Sequence, residues 1–479
     1  MGATLNGVLV RSLLALSVLT AAAAFASGSH AARSSGPHYA APAGSGALFL
    51  VRGHGYGHGV GMGQWGAQGY ALQGYTYEQI LADYYPGTTL GETTESSIRV
   101  LLASGKKQLT ISSKKPITVE DGDGVEHTLA AGQTTLTPAL ELAVDGGPAV
   151  ALAPPLTVSP TGGTSLTLGR RYRGQLVVDV PNEKLRAVNT LPLQQYLDGV
   201  VPAEMPSAWL PAALDAQAVA ARSYALASRK DGAAFDVYAD GRSQAYLGVS
   251  AETVAGTQAV DDTAGQVLLY DGDVADTLFS SSTGGWTQSA ADAFGAPGRP
   301  YLVSVRDPYD KISPYHDWGP VAVTGKTLGS ALGVAGHILD ATVKRNSSRR
   351  VKTLTITSLR RGSQRTASVA GSTTASALDL RSSWFSVGVL SLQPPSPNPA
   401  VAPRTRVTLS GVVRGVRGVV VQKRSGVTAW KRMRAIRAGA FRFTVEPKVT
   451  TFYRLATAQD AAGSVRIRVH AATVKWWAS

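Results

Sequence analysis

Glycine occupies every second position from 53 to 63 in the stretch RGHGYGHGVGMGQWG (52–66). An interior glycine costs a helix about 1 kcal/mol relative to alanine, so a helix is disfavoured across this comb. If extended, the chain presents Arg52, His54, Tyr56, His58, Val60, Met62 and Gln64 on one face. The other face is bare backbone, against which a second segment can lie flush. His54 and His58 would then stand about 13 Å apart, too far to share a metal ion without a sharp bend. The comb is therefore expected to give structural support with some ligand contact. His58, Gln64 and Trp65 are the candidate contact residues, and Tyr56 offers a further ring.

A chain of 479 residues can build two or three domains with full cores. Residues 1–31 read as a signal peptide: Arg11, an apolar run Leu13–Ala26 too short to span a bilayer, then small residues. The chain is thus expected outside the cell or in the cell wall. It contains no cysteine, so export would rely on core size rather than disulfides, and thiolate metal sites and a cysteine nucleophile are excluded. A helix is expected at about Thr76–Tyr84, with Thr76 as N-cap and Pro86-Gly87 as stop. Short strands split by Gly, Asp, Asn and Pro fill Ile98 to Leu191. Helices return at Leu193–Gly199 and about Pro211–Ser228, with Pro211 in a first turn. Mixed strands and turns run to about Leu390, and QPPSPNPAVAP (393–403) reads as a semi-rigid linker. Short alternating strands in 404–479 suggest a small immunoglobulin- or fibronectin-like sandwich. The expected class is α+β, β-rich, with few helices.

The net charge of +14 is concentrated in one place. Residues 401–479 hold 16 Lys and Arg against 2 Asp and Glu, and the rest of the chain is balanced. Such a module attracts polyanions. Anionic wall polymers such as teichoic acids are the expected partner through residues 404–479; nucleic acid is the rival that export disfavours.

Glu204 lies in a Pro-bounded turn, VVPAEMPSAW, just before an Ala-rich helix carrying Arg222. Cutting a glycosidic bond needs an acid for the leaving oxygen, and hydrolases usually add a second carboxylate. No second member stands near Glu204 in sequence: Asp198 more naturally caps or pairs, Asp215 suits a helix end, and Asp307 or Asp317 would have to arrive by folding. One carboxylate suffices when the substrate carries its own nucleophile, as N-acetylmuramic acid does in its 6-hydroxyl. Neither metal nor cofactor is then required. Met205, Pro202, Pro206 and Trp209 could supply an apolar wall that shifts the carboxyl toward the working pH. Arg222 could stabilise developing charge, or form an ordinary salt bridge with Asp215 or Glu204. FSSSTGGWTQSA (279–290) is a polar, Gly-bearing turn whose Ser281, Ser282, Thr283 and Trp286 suit sugar hydroxyls and a stacking ring. A Ser-His-Asp hydrolase is disfavoured because there is no G-x-S-x-G elbow.

Several blocks together resemble the family of stage II sporulation protein D and LytB: NTLPLQQYLDGVVPAEMP, ALDAQAVAARSYAL, RSQAYLG (242–248), GQVLLYDG, FSSSTGGWTQSA, PYLVSVRDPYD and GHGVGMGQWGAQGYALQGYTYEQILADYYPGT. The resemblance covers roughly 45–390, with 45–90 as the comb-and-helix part of the catalytic domain and 91–392 as its main body. It implies peptidoglycan lytic transglycosylase activity that leaves 1,6-anhydromuramic ends on stem-peptide-poor strands. It assigns Glu204 of E-M-P as the catalytic acid/base and Arg222 of A-V-A-A-R to activity. It places the SSxGG turn Ser281–Gly285, with Gly284 and Gly285, in the substrate groove, and Gln244 and Tyr246 of the R-S-Q-A-Y block are further candidate substrate-binding residues. The comb usually ends the domain in this family, and here it precedes it. Because LytB-type members are amidase enhancers, the alternative is a non-catalytic wall-binding role beside a cell-wall amidase.

Overall fold

Strands make up most of the regular structure, and the fold is α+β and β-rich. The computed structural model describes residues 46–230, 232–295, 299–395 and 397–470, so the expected leader at 1–31 lies outside the described residues. The described chain forms two compact units, residues 57–314 and residues 46–56 with 315–470.

The first unit carries five helices that matter here: α1 (Gln64–Ala71), α2 (Tyr77–Tyr84), α3 (Leu193–Glu204), α4 (Pro211–Ala227) and α5 (Val254–Asp262). Thr76 starts α2 as expected, in a reciprocal capping box with Gln79. Pro211 opens α4, where its missing N–H costs nothing. Alanines 213, 216, 218, 220, 221 and 225 are buried on all sides of α4, which makes it the central helix of its core. The helix expected at Leu193–Gly199 runs on to Glu204, so Glu204 ends a helix rather than sitting in a turn. Pro202 is compatible with the helical φ, and the Met205 N–H still reaches the Val201 carbonyl at 2.9 Å.

α3 follows directly from strand Leu185–Pro192, an inner member of a seven-stranded sheet. Leu, Val and Ile from this sheet and a smaller four-stranded one pack together, including Val119, Leu156, Leu176, Val178 and Leu185. This β lobe gives α3 a rigid root.

The comb is not one extended strand. Strand Leu48–His54 ends just past its first tooth, and Gly55, Gly57, Gly59 and Gly61 all have φ between +69° and +100°. Alternation here serves repeated left-handed turns that residues with a Cβ rarely make. His54 falls in one unit and His58 in the other.

In the second unit, five strands pair antiparallel in the order 317–324, 48–54, 385–393, 407–414, 439–445. A sheet of 431–435, 420–425, 451–456 and 465–467 packs on it through Leu409, Val421, Phe443, Tyr453 and Leu455. The C-terminal strands do form a two-sheet sandwich, but not a separate module. The 393–403 stretch expected as a linker joins strands 385–393 and 407–414, which pair from Val389↔Arg414 to Gln393↔Ser410. The observed boundary lies near 314 instead. Composition could not reveal this, because prolines serve a loop within a sheet as well as a spacer between domains.

Candidate functional site

Glu204 is fixed by neighbours from two other segments. Its Oε1 accepts the Ala245 N–H at 2.6 Å. The Gln64 side-chain amide donates to the Glu204 carbonyl at 3.1 Å, with Oε2 at 3.4 Å. Gln64 is the first residue of α1 and is buried. One turn on, Gln68 accepts the Leu210 N–H at 3.0 Å. The two glutamines lie on one helix face at i and i+4. They therefore clamp both ends of the loop between α3 and α4. Trp65, next to Gln64, and Trp209, in the loop after Glu204, meet edge to face with centroids 4.8 Å apart.

Burial pushes the Glu204 carboxyl up to about 6, against the pull of the Ala245 N–H and the Gln64 amide. No neighbouring acid contributes to that shift. The carboxyl is thus a solitary group poised near neutrality, able both to give and to take a proton. Asp307, one possible second acid, is fully buried and occupied elsewhere, and Asp317 pairs with His54 in the other unit.

The comb and the 279–285 block hold α1 in place. Strands Met62–Gly63 and Phe279–Ser280 pair in parallel, and the Trp65 N–H donates to the Ser281 carbonyl at 3.0 Å. Ser282 Oγ donates to Asp310 at 2.8 Å, and the Thr283 and Gly284 N–H groups donate to the same carboxylate at 3.0 Å. Thr283 Oγ1 donates to Asp307 at 2.7 Å. Burial, then the charge of Asp310, pushes Asp307 up to about 7. A Cβ on Gly66 would stand 2.3 Å from Asp307 Oδ2 and 1.9 Å from the Tyr84 hydroxyl, so α1 can seat here only with glycine.

Several expected contact residues are therefore scaffold. Ser282 and Gly284 are buried, and the Ser282 side chain points at Asp310 rather than outward. Gly285 is half-buried, and its N–H donates to Thr283 Oγ1. Gln244 is fully buried between the Tyr196 hydroxyl and the Ala221 carbonyl, and the buried Tyr246 donates to Asn189. Their role is indirect: both side chains anchor inward, and the residue between them offers its N–H to Glu204. Sequence reading missed Ala245 because a backbone donor has no residue signature. His58 is half-buried, and its Nδ1 accepts the Val60 N–H at 3.0 Å. Gln64 packs against Glu204, and Trp65 against Trp209.

Arg222 does not meet Glu204 or form the expected ion pair. It is 1% exposed, and its guanidinium donates to the Gln266 carbonyl at 3.0 Å, Gln194 Oε1 at 3.2 Å and the Val260 carbonyl at 3.3 Å. Burial lowers it to about 10. It ties α4 to α3 and α5. Arg222→Met strands these acceptors and Thr263 Oγ1, which also accepts from the guanidinium at 3.5 Å, and is expected to cost about 3 kcal/mol or more in urea denaturation.

Residues 181–270 match the family model of stage II sporulation proteins, SpoIID. That span holds α3, Glu204, Arg222 and Ala245 but neither the comb nor the 279–285 block. An uncharacterized protein of Brachyspira hyodysenteriae is 39% identical over 140 residues, 29% of this chain and 38% of the relative. Stage II sporulation protein D of Bacillus subtilis is 36% identical over 149 residues, 27% of this chain and 42% of that protein. The amidase enhancer of Bacillus subtilis is 36% identical over 118 residues, 24% of this chain and 15% of that protein. The chain thus spans half or less of the length of these relatives. No solved structure matches.

Proposed function

We propose that this chain, which carries a SpoIID domain, is an exported cell-wall protein that cleaves peptidoglycan glycan strands as a lytic transglycosylase. The single observation that carries the reading is the solitary Glu204 carboxyl, raised to about 6 by burial with no second acid contributing. Protonated Glu204 donates to the oxygen linking C1 of N-acetylmuramic acid to the next sugar, and the C1–O bond breaks. The resulting carboxylate takes the proton of the muramic 6-hydroxyl as O6 bonds to C1. The products are a 1,6-anhydromuramic end and a free hydroxyl on the leaving sugar. Water is not consumed and the carboxyl returns to its starting state, so one acid serves both steps. The Ala245 N–H steadies the carboxylate form.

Trp65 and Trp209 give sugar rings an apolar platform beside the acid. Trp65→Ala is expected to raise KM for glycan about tenfold and leave kcat nearly unchanged, as loss of uniform binding does. The main test digests peptide-stripped glycan with the mature chain and seeks anhydromuramic ends by mass spectrometry. Their absence would leave the second reading, favoured by the amidase-enhancer relative: a wall-bound activator, seen as stimulation of an added amidase with no new glycan ends.

A further inference from the structure

The sheet of strands Lys431–Ala435, Val420–Ser425, Thr451–Ala456 and Val465–Ile467 buries one face through Val421, Tyr453, Leu455, Val465 and Ile467. Alternation sends Gln422, Arg424, Phe452, Arg454 and Arg466 to the other face. The register sets Gln422 opposite both Arg432 and Arg454, and Phe452 opposite both Arg424 and Arg466. Trp430 joins them: the guanidinium carbons of Arg454 and Arg424 stand 4.2 and 4.8 Å from its ring centroid. Arg424 and Arg466 stand 5.5 and 5.7 Å from the Phe452 ring. These four strands carry seven Lys and Arg and no Asp or Glu. The described carboxylate pairs of the neighbouring strands, Arg406–Glu446 and Arg414–Asp340, leave this face uncompensated.

Two guanidiniums against one indole is a like-charge arrangement that costs energy unless an anion joins them. Burial, then the charge of Arg424, lowers Arg454, whose Nε donates to Gln422 Oε1 at 2.8 Å, and the Arg424 Nε is buried, so each of these two arginines has its terminal N–H groups left to offer a ligand. The rings hold the arginines in place, so little side-chain entropy remains to be lost on binding. We propose that this face docks a wall polymer built from phosphodiester repeats, each phosphate gripped by the paired N–H edges of the ordered arginines. A phosphate offers two oxygens to a guanidinium fork and stays ionised across the working pH. Stacked bases of a nucleic acid would need open aromatic faces. Here Trp430 and Phe452 each already carry two guanidiniums. The choice of wall polymer as occupant rests on the cell-wall reading above.

The test measures retention of the full mature chain on wall fragments, intact or stripped of phosphodiester polymer by hydrofluoric acid. Arg424→Gln/Arg454→Gln/Arg466→Gln should weaken retention on intact wall about tenfold, and wild type should fall to the same level on stripped wall. Lys352→Gln/Arg360→Gln/Arg365→Gln removes equal charge from exposed positions on another sheet of the unit and should cost about twofold or less. Equal losses from both triples, undiminished retention on stripped wall, or displacement by single-stranded DNA at lower phosphate concentration than by the purified polymer would each overturn the proposal. If the first triple fails to fold in thermal denaturation, Arg466→Glu decides: a threefold or greater loss supports the docking face and unchanged retention overturns it. Release of anhydro ends from soluble glycan, read in parallel, should be the same in all variants. Failure of wild type there counts against the Glu204 reading alone.

Discussion

Glu204→Gln should lower release of anhydromuramic ends by about a thousandfold or more under the reaction proposed above, in which one group would supply both proton transfers and general acid–base catalysis by a positioned residue is worth about 10²–10⁴. The amide has nearly the same shape and can still accept the Ala245 N–H, so the loss should appear in kcat without unfolding. In wild type, kcat/KM should fall as pH rises above about 6, where the starting acid is lost. Stability should move the opposite way from activity. The folded carboxyl titrates above its ordinary 4.5, so its contribution is fully present below that value and is lost as pH rises through about 6. The variant never pays this penalty. Glu204→Gln should therefore match wild type in thermal denaturation at pH 4 and exceed it at pH 7 by about 1–2 kcal/mol, discounted for partial exposure. Equal stability at both pH values, or anhydro ends persisting in the variant, would remove Glu204 from the role assigned to it.

Gly61→Ala should be the most damaging change in the comb. Gly61 has φ +69°, and a Cβ there would stand 1.9 Å from the Leu278 carbonyl oxygen. That oxygen cannot give way readily, because it accepts the Met62 N–H at 3.1 Å and the Tyr85 hydroxyl at 2.9 Å. Left-handed strain of about 1–2 kcal/mol adds to the clash, for a total of about 4 kcal/mol or more. Gly74→Ala separates the two causes: its φ is +84° with nothing within 4 Å, so it should cost only the strain. If urea denaturation shows the two variants within 1 kcal/mol of each other, the close approach to Leu278 has been misjudged. Where Gly61→Ala still folds, it should also lose turnover, because Gln64 begins α1 three residues later.

The periodic elements were legible in the sequence. The Thr76 cap and Pro211 act locally, on their own helix termini, so no knowledge of distant neighbours is needed to place them. The acid itself was legible too, as a lone carboxylate among apolar and proline residues. What surrounds it was much less so. Gln244, Tyr246 and Ser282 have the residue types of sugar contacts, yet they turn inward, because side-chain direction follows from which face the fold buries. The comb illustrates the same limit. Its alternation fits a strand or a run of left-handed turns equally well, and only packing against residues 278–285 selects the second.

Sequence alone determined that the chain would be α+β and β-rich, that the comb would avoid a helix, that the basic charge lies at the C-terminal end, and that Glu204 stands without a nearby acid in the chain. These are matters of composition and of interactions spanning a few residues. Tertiary structure decided that α1 reaches Glu204 from 140 positions away, that Ala245 supplies its second hydrogen bond, that Arg222 is a core strut and that strands on both sides of 393–403 share one sheet. Each depends on long-range pairing, which the chain settles only when burial and hydrogen bonding are satisfied for all its segments together.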